Sequence, residues 1–304
     1  MRRRALVLGL PASVLACSHR REPGGDAVEA TVPSSVALHE LTFTGDEGPG
    51  GSGGSERAVV LTPKGGLGPW PLLIAIHGRG EAVRGAHDGA YGWVHDYRIG
   101  RAIAALQRGK LTADDFQGLV TPERLDTLNR ALAEHPYQGL VIACPHAPDF
   151  TGPARLDALP AYGAWLTGPL ARRVSSVMPV GRIGIDGVSM GGRMALRLGL
   201  VTDAPYHAVG SLQAALSASE VPAIVEMARA ARVARPTLPL RVLTSEGDYF
   251  RPVLGTLHDE LTKASLSHDY RLVAGPHNYQ FNQGPGSIEM LLWHDRVLRG
   301  LPGV

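Results

Sequence analysis

The run Arg182-Ile183-Gly184-Ile185-Asp186-Gly187-Val188-Ser189-Met190-Gly191-Gly192 constrains this chain more than any other. Its short apolar, β-branched opening predicts a strand. The glycines that follow predict a tight turn, and Arg193-Met194-Ala195-Leu196-Arg197-Leu198-Gly199-Leu200 predicts the start of a helix. Side chains at Gly187 and Gly191 would collide with neighbouring backbone in such a turn, which explains the glycines. The turn strains Ser189 and lifts its Oγ above the sheet edge, while the first N–H groups of the helix aim at the same point. Strand, glycine turn, serine and helix together make a nucleophile elbow.

A glycine-rich strand-to-helix turn also suits phosphate. The dinucleotide pattern G-x-G-x-x-G is absent here, and a P-loop needs Lys and Ser or Thr where this chain has Arg193 and Met194. Its 304 residues, 44% hydrophobic and 19% charged, suffice for one large α/β domain. The formal charge is +2; subtracting Arg2, Arg3 and Arg4 leaves −1, which gives no electrostatic case for a nucleic-acid partner.

Those arginines precede the apolar run Ala5–Ala16, too short for a permanent membrane span, and predict a signal peptide over residues 1–16. Val14-Leu15-Ala16 before Cys17 resembles a bacterial lipoprotein signal, so Cys17 is the expected lipidation site and membrane anchor; plain secretion is the competing expectation. Either puts the protein outside the cytoplasm, in the cell envelope. Residues 17–35 are polar, with Pro and Gly, and predict a flexible tether before a single domain over 36–304. The other cysteine, Cys144, lies in an apolar run and is expected as a buried hydrophobe without disulfide or thiol chemistry.

Within that domain, Val36–Thr44 and Arg57–Pro63 predict two antiparallel strands joined by a glycine-serine turn over Gly48–Ser55. Pro71–Ile76 predicts a buried central strand ending in His77-Gly78-Arg79-Gly80, where open α/β sheets place ligand sites. His77 is expected to be structural, bonding nearby backbone. The segment 81–137 is longer than a minimal connection. It predicts helices at Ile99–Gln107 and after Thr121-Pro122-Glu123, and gathers aromatics among which Tyr91 and Trp93 are candidates for a pocket wall or lid. No histidines there have zincin-type spacing, and neither metal nor cofactor is expected. Strands follow at Leu140–Cys144, His207–Gln213, Pro239–Asp248 and Tyr270–Val273. Helices are predicted at Tyr162–Val177, bent near Gly168-Pro169, at Ser217–Val233 and at Ile288–Leu298, the last carrying a packed His294.

Asp248 follows a later strand and Glu246 competes with it; the glycine between them, which turns the chain across the sheet edge, favours Asp248. His277 follows the last strand in a glycine-proline loop and is the general-base candidate. Serine, acid and histidine thus occur in the chain order of an elbow-type triad, with the backbone N–H groups of Arg79 and Met190 as the expected oxyanion hole.

Gly187-Val188-Ser189-Met190-Gly191-Gly192 and Gly275-Pro276-His277-Asn278-Tyr279 resemble the elbow and histidine loop of the esterase D-like esterases of the α/β-hydrolase superfamily, over roughly Val36 to Leu298. The resemblance implies a mostly parallel central sheet flanked by helices in a three-layer α/β sandwich. It also implies a serine carboxylesterase acting on small-molecule or polysaccharide-linked acyl esters. Tyr279, beside the histidine, joins the pocket candidates. An acyltransferase or serine peptidase of the same fold, and a non-catalytic lipoprotein binding module, are the alternatives.

Overall fold

The computed structural model describes residues 32–49, 56–66 and 68–304. The expected signal peptide, Cys17, most of the expected tether and most of the glycine-serine turn lie outside the described residues. Eight strands form one sheet: β1 (Val36–Phe43), β2 (Glu56–Pro63), β3 (Trp70–Ile76), β4 (Val141–Pro145), β5 (Val180–Gly187), β6 (Tyr206–Leu212), β7 (Leu240–Gly247) and β8 (Asp269–Pro276). Their spatial order is β1-β2-β4-β3-β5-β6-β7-β8. β1 pairs antiparallel with β2, and β2 with β4; every other neighbouring pair is parallel.

Alternation along the central strands fills both sides of this sheet. Leu72, Ile74 and Ile76 of β3 enter one core with side chains from the helices Leu159–Trp165, Met190–Gly199, Val221–Ala234 and Arg251–Lys263. Leu73 and Ala75 enter the other with side chains from Ile99–Gln107, Pro122–Glu134 and Ser287–Val297. Burial on both faces is why these strands read as continuous apolar runs. The result is the expected three-layer α/β sandwich.

The long segment 81–137 is built into the second core. Ile99, Ile103, Leu106, Phe116, Leu128 and Leu132 are all buried there, so the segment is part of the sheet's covering layer. Leu159–Val177 is a run of helix with a π turn at Leu166–Leu170 that accommodates Pro169. Cys144 is buried and free, and burial pushes its thiol pKa up.

The chain leaves β3 toward β4 on one side and returns to β5 on the other. The carboxyl ends of β3 and β5 therefore form the topological switch point, where a parallel sheet opens a crevice. No helix among the described residues is long and apolar enough to cross a membrane.

Candidate active site

Ser189 stands at this switch point. Val188 N–H donates to the Ile76 carbonyl at 3.1 Å, and Ser189 N–H to the Leu212 carbonyl at 2.9 Å, so the elbow is held between β3 and β6. Ser189 has φ 57° and ψ −114°, a conformation that costs a non-glycine residue on the order of 1–3 kcal/mol and persists only where its surroundings over-determine it. They do so here through close packing: a Cβ at Gly191 would lie 2.2 Å from the Ile76 carbonyl oxygen, and one at Gly187 would lie 2.6 Å from that same oxygen. Asp186, buried in the strand below, accepts from Gly187 N–H at 2.7 Å and meets the buried His294 Nε2 at 2.9 Å. His294 is thus packed beneath the elbow.

The histidine and acid candidates meet. His277 Nδ1 lies 2.8 Å from Asp248 Oδ1. The same carboxylate accepts from Phe250 N–H at 2.9 Å and from Thr244 Oγ1 at 2.7 Å, and is itself buried. An acceptor held in this way puts the imidazole proton on Nδ1 and leaves Nε2 with its lone pair, the form a general base requires. The Tyr249 ring lies tilted against the His277 ring at 4.3 Å between centroids, and Phe250 meets it edge-on at 5.5 Å. Glu246 is exposed at the end of β7, where its backbone carbonyl accepts from Arg251; Asp248 is the acid that reaches the histidine.

Arg79 and Met190 are each the first residue of a helix, Arg79–Ala82 and Met190–Gly199, so neither N–H has a partner within its own helix. Both helices begin at the carboxyl ends of adjacent strands, β3 and β5. His77 supports the first turn. Its Nδ1–H donates to the Gly78 carbonyl at 2.8 Å and its Nε2 accepts from Ala147 N–H at 2.9 Å. Burial, with smaller contributions from His146 and Arg84, lowers its pKa to about 3, so it is a neutral structural imidazole.

Two pocket candidates do not belong here. Trp93 is 1% exposed and packs edge-on against Tyr97 inside the second core. Tyr91 donates to Glu40 Oε1 at 2.5 Å, on the edge strand β1, with β2, β4 and β3 between that strand and β5. Both lie near the site in sequence, but a short helical segment turns them away from it. Tyr279 is exposed, and a Cβ at Gly80 would touch its hydroxyl at 3.4 Å, so the histidine loop lies over the Arg79 turn.

Two further residues organise the site. Gln213, fully buried at the end of β6, donates from Nε2 to Ser245 Oγ at 2.6 Å and to the Pro276 carbonyl at 3.1 Å. Glu81 is buried between the Arg79 turn and the histidine loop. Gln213 ends an apolar strand and Glu81 follows a glycine turn, and neither position carries a sequence signal for a partner so distant in the chain. Among the described residues no group of three or more His, Cys, Asp or Glu side chains is arranged to hold a metal ion.

No protein-family model matches the chain, and no curated protein matches it in sequence. Solved structures do. An S-formylglutathione hydrolase from Staphylococcus aureus superposes with a TM-score of 0.55 at 14% identity, over 86% of this chain and 100% of the other. A ferulic acid esterase gives 0.60 at 14% identity, over 87% and 99%. A ferulic acid esterase from the anaerobic fungus Anaeromyces mucronatus gives 0.52 at 12% identity, over 87% and 94%. With the sheet order and the turn at Ser189, these likenesses identify the chain as having the α/β-hydrolase fold, and in structure it resembles the esterase D-like esterases built on that fold.

Proposed function

We propose that this chain is a serine carboxylesterase that cleaves acyl esters through an acyl-enzyme. The observation that carries the reading is the backbone of Ser189, held at φ 57° on a glycine elbow; a histidine fixed by a buried carboxylate supports it. His277 Nε2 takes the proton of Ser189 Oγ as the oxygen attacks the ester carbonyl. The tetrahedral oxyanion is stabilised by the N–H groups of Arg79 and Met190. The imidazolium, stabilised by Asp248, returns its proton to the leaving alcohol as the C–O bond breaks and Ser189 is left acylated. Water, deprotonated by His277, then attacks the acyl carbon; the bond to Ser189 Oγ breaks, the imidazolium returns the proton to Oγ, and the carboxylic acid leaves. The structural neighbours include ferulic acid esterases and an S-formylglutathione hydrolase, and their likeness supports small-molecule or polysaccharide-linked esters as the substrate class.

The expected signal peptide over residues 1–16 and lipidation at Cys17 extend the proposal to location: an enzyme outside the cytoplasm, tethered to a bacterial membrane through residues 17–35 or secreted.

The test is a series of p-nitrophenyl esters from acetate to decanoate, with Ser189→Ala and His277→Ala beside the wild type. Hydrolysis lost in both variants is expected, and the preferred chain length sizes the acyl pocket. A folded wild type inactive on every ester would reject the esterase and favour transfer to another acceptor, peptide cleavage or a non-catalytic binding role.

A further inference from the structure

Glu81 is 1% exposed, an unusual position for a carboxylate in the first turn of a four-residue helix. Its side chain is closely enclosed. A Cβ at Gly92 would stand 2.5 Å from Glu81 Cγ, and one at Gly78 would stand 3.2 Å from Glu81 Oε2. Both of its oxygens are engaged. Oε1 accepts from the Tyr279 hydroxyl at 2.9 Å, across 198 residues of sequence, and Oε2 accepts from the Tyr97 hydroxyl. The Tyr97 oxygen in turn accepts from Gly78 N–H at 3.0 Å, and Arg84 Nη2 stands 3.6 Å from Oε1.

These bonds join two loops that lie on well-separated strands of the sheet. Gly78 and Glu81 flank Arg79, whose N–H is a proposed oxyanion donor; Tyr279 lies two residues beyond His277, the proposed base. β3 and β8 are four strands apart in the sheet order, so no strand pairing fixes one loop against the other. A buried carboxylate is costly unless it is fully hydrogen-bonded, and a hydrophobic residue of similar volume would fill the same space without that cost. What a carboxylate supplies here is direction: two charge-assisted acceptors that fix two phenol hydroxyls at once.

We propose that Glu81 is a positioning residue that couples the oxyanion loop to the histidine loop through Tyr279. In the acyl-transfer cycle it keeps the imidazole and the oxyanion donors in register around one carbonyl carbon, where a misplacement of about 1 Å costs on the order of 100-fold in rate. The catalytic part of this inference rests on the hydrolase reading above; the coupling of the loops does not.

The test uses the full chain carrying Tyr279→Phe, which keeps the ring and removes one hydroxyl, and separately Glu81→Gln. Turnover of p-nitrophenyl acetate and amide hydrogen exchange are both measured. In Tyr279→Phe, kcat is expected to fall about 10-fold or more with KM changed less than about 2-fold, and the unfolding midpoint to fall only modestly, since one hydrogen bond to a buried carboxylate is lost. Exchange is expected to rise in residues 277–283 and also in residues 78–84, with the helix Ser287–Val297 unaffected. Glu81→Gln is expected to loosen the same two segments, and adding Tyr279→Phe to it should change little further. A rise in KM at unchanged kcat would make Tyr279 a substrate contact and overturn the proposal. So would faster exchange confined to residues 277–283. If the wild type shows no Ser189-dependent turnover, the hydrolase reading falls and the exchange pattern alone decides whether Glu81 couples the loops.

Discussion

Gln213 Nε2 donates to the carbonyl of Pro276 at 3.1 Å, tying the residue next to the Ser189-binding carbonyl of Leu212 to the residue before His277. The sheet places β6 and β8 on either side of β7, and this amide spans the gap with a second donation to Ser245 Oγ on β7 at 2.6 Å. Gln213 also has φ 46°, so its side-chain bonds hold a backbone that glycine would adopt more easily. Replacing it separates the two effects. Gln213→Ala leaves the buried Ser245 hydroxyl and the part-buried Pro276 carbonyl without this donor and retains the strain, and is expected to destabilise by about 1–3 kcal/mol in urea unfolding. Gln213→Gly loses the same bonds but relieves the backbone by about 1 kcal/mol, and should be the more stable of the two. Both should lose esterase turnover to a similar extent, because neither holds the histidine loop. Equal stability of the two variants would show that the positive φ carries no cost here.

Asp248 and Glu246 lie two residues apart and only one of them meets the imidazole. Asp248 Oδ1 is 2.8 Å from His277 Nδ1 while Glu246 is exposed. Asp248→Asn keeps the size of the side chain but offers an amide that favours the wrong tautomer, and kcat for p-nitrophenyl acetate is expected to fall about 10³- to 10⁴-fold. Glu246→Gln should stay within about 2-fold of wild type. Comparable losses in the two variants would mean that the histidine exchanges partners during turnover.

The residues that carry this pair were legible in sequence because each closes an apolar strand with a turn. The elbow was the clearest case, since Ile183, Ile185 and Val188 mark a buried strand and the glycines mark a close approach. The boundaries were less so. β8 continues through Ala274, Gly275 and Pro276, which in sequence are turn residues, because Gly247 of β7 pairs with Pro276. Trp93 reads as a pocket aromatic because it follows the Arg79 turn, yet its side chain turns into the core to support Tyr97. Gln213 and Glu81 were invisible for the converse reason. Their partners lie 63 and 198 residues away, and only the folded sheet brings them together.

His77 makes stability depend on pH. Its Nε2 accepts from Ala147 N–H, so the folded state needs a neutral ring, and burial holds the pKa at about 3 against an ordinary value of 6.5. Between these values the unfolded chain binds a proton that the folded chain does not. Stability contributed by this residue is therefore complete above pH 6.5 and falls as the pH drops toward 3, by about 1.4 kcal/mol per unit. His77→Gln removes this ionisation. Its unfolding free energy should start below that of the wild type at neutral pH and converge with it between about pH 6 and pH 4. Parallel profiles would place the protonation elsewhere in the molecule.

Gly191 shows how little room the elbow has. A Cβ there would lie 2.2 Å from the Ile76 carbonyl oxygen and 2.6 Å from that of His77, both backbone atoms of the central strand and the turn that follows it. Neither can move without breaking β3, because the Ile76 carbonyl also accepts from Val188 N–H at 3.1 Å. Gly191→Ala is therefore expected to lower stability by about 3 kcal/mol or more, at the upper end of overpacking costs, and to abolish turnover in whatever protein still folds. Gly181, in the same strand as Gly187, is the control. A Cβ there meets only Pro69 side-chain atoms, the nearest at 3.5 Å, which is ordinary contact, so Gly181→Ala should leave the unfolding midpoint within about 0.5 kcal/mol of wild type. If Gly191→Ala folded with near-normal stability, the helix Met190–Gly199 would have to shift away from β3. Met190 N–H would move with it, and the loss of turnover in that folded variant would then measure how tightly the oxyanion geometry depends on the helix start.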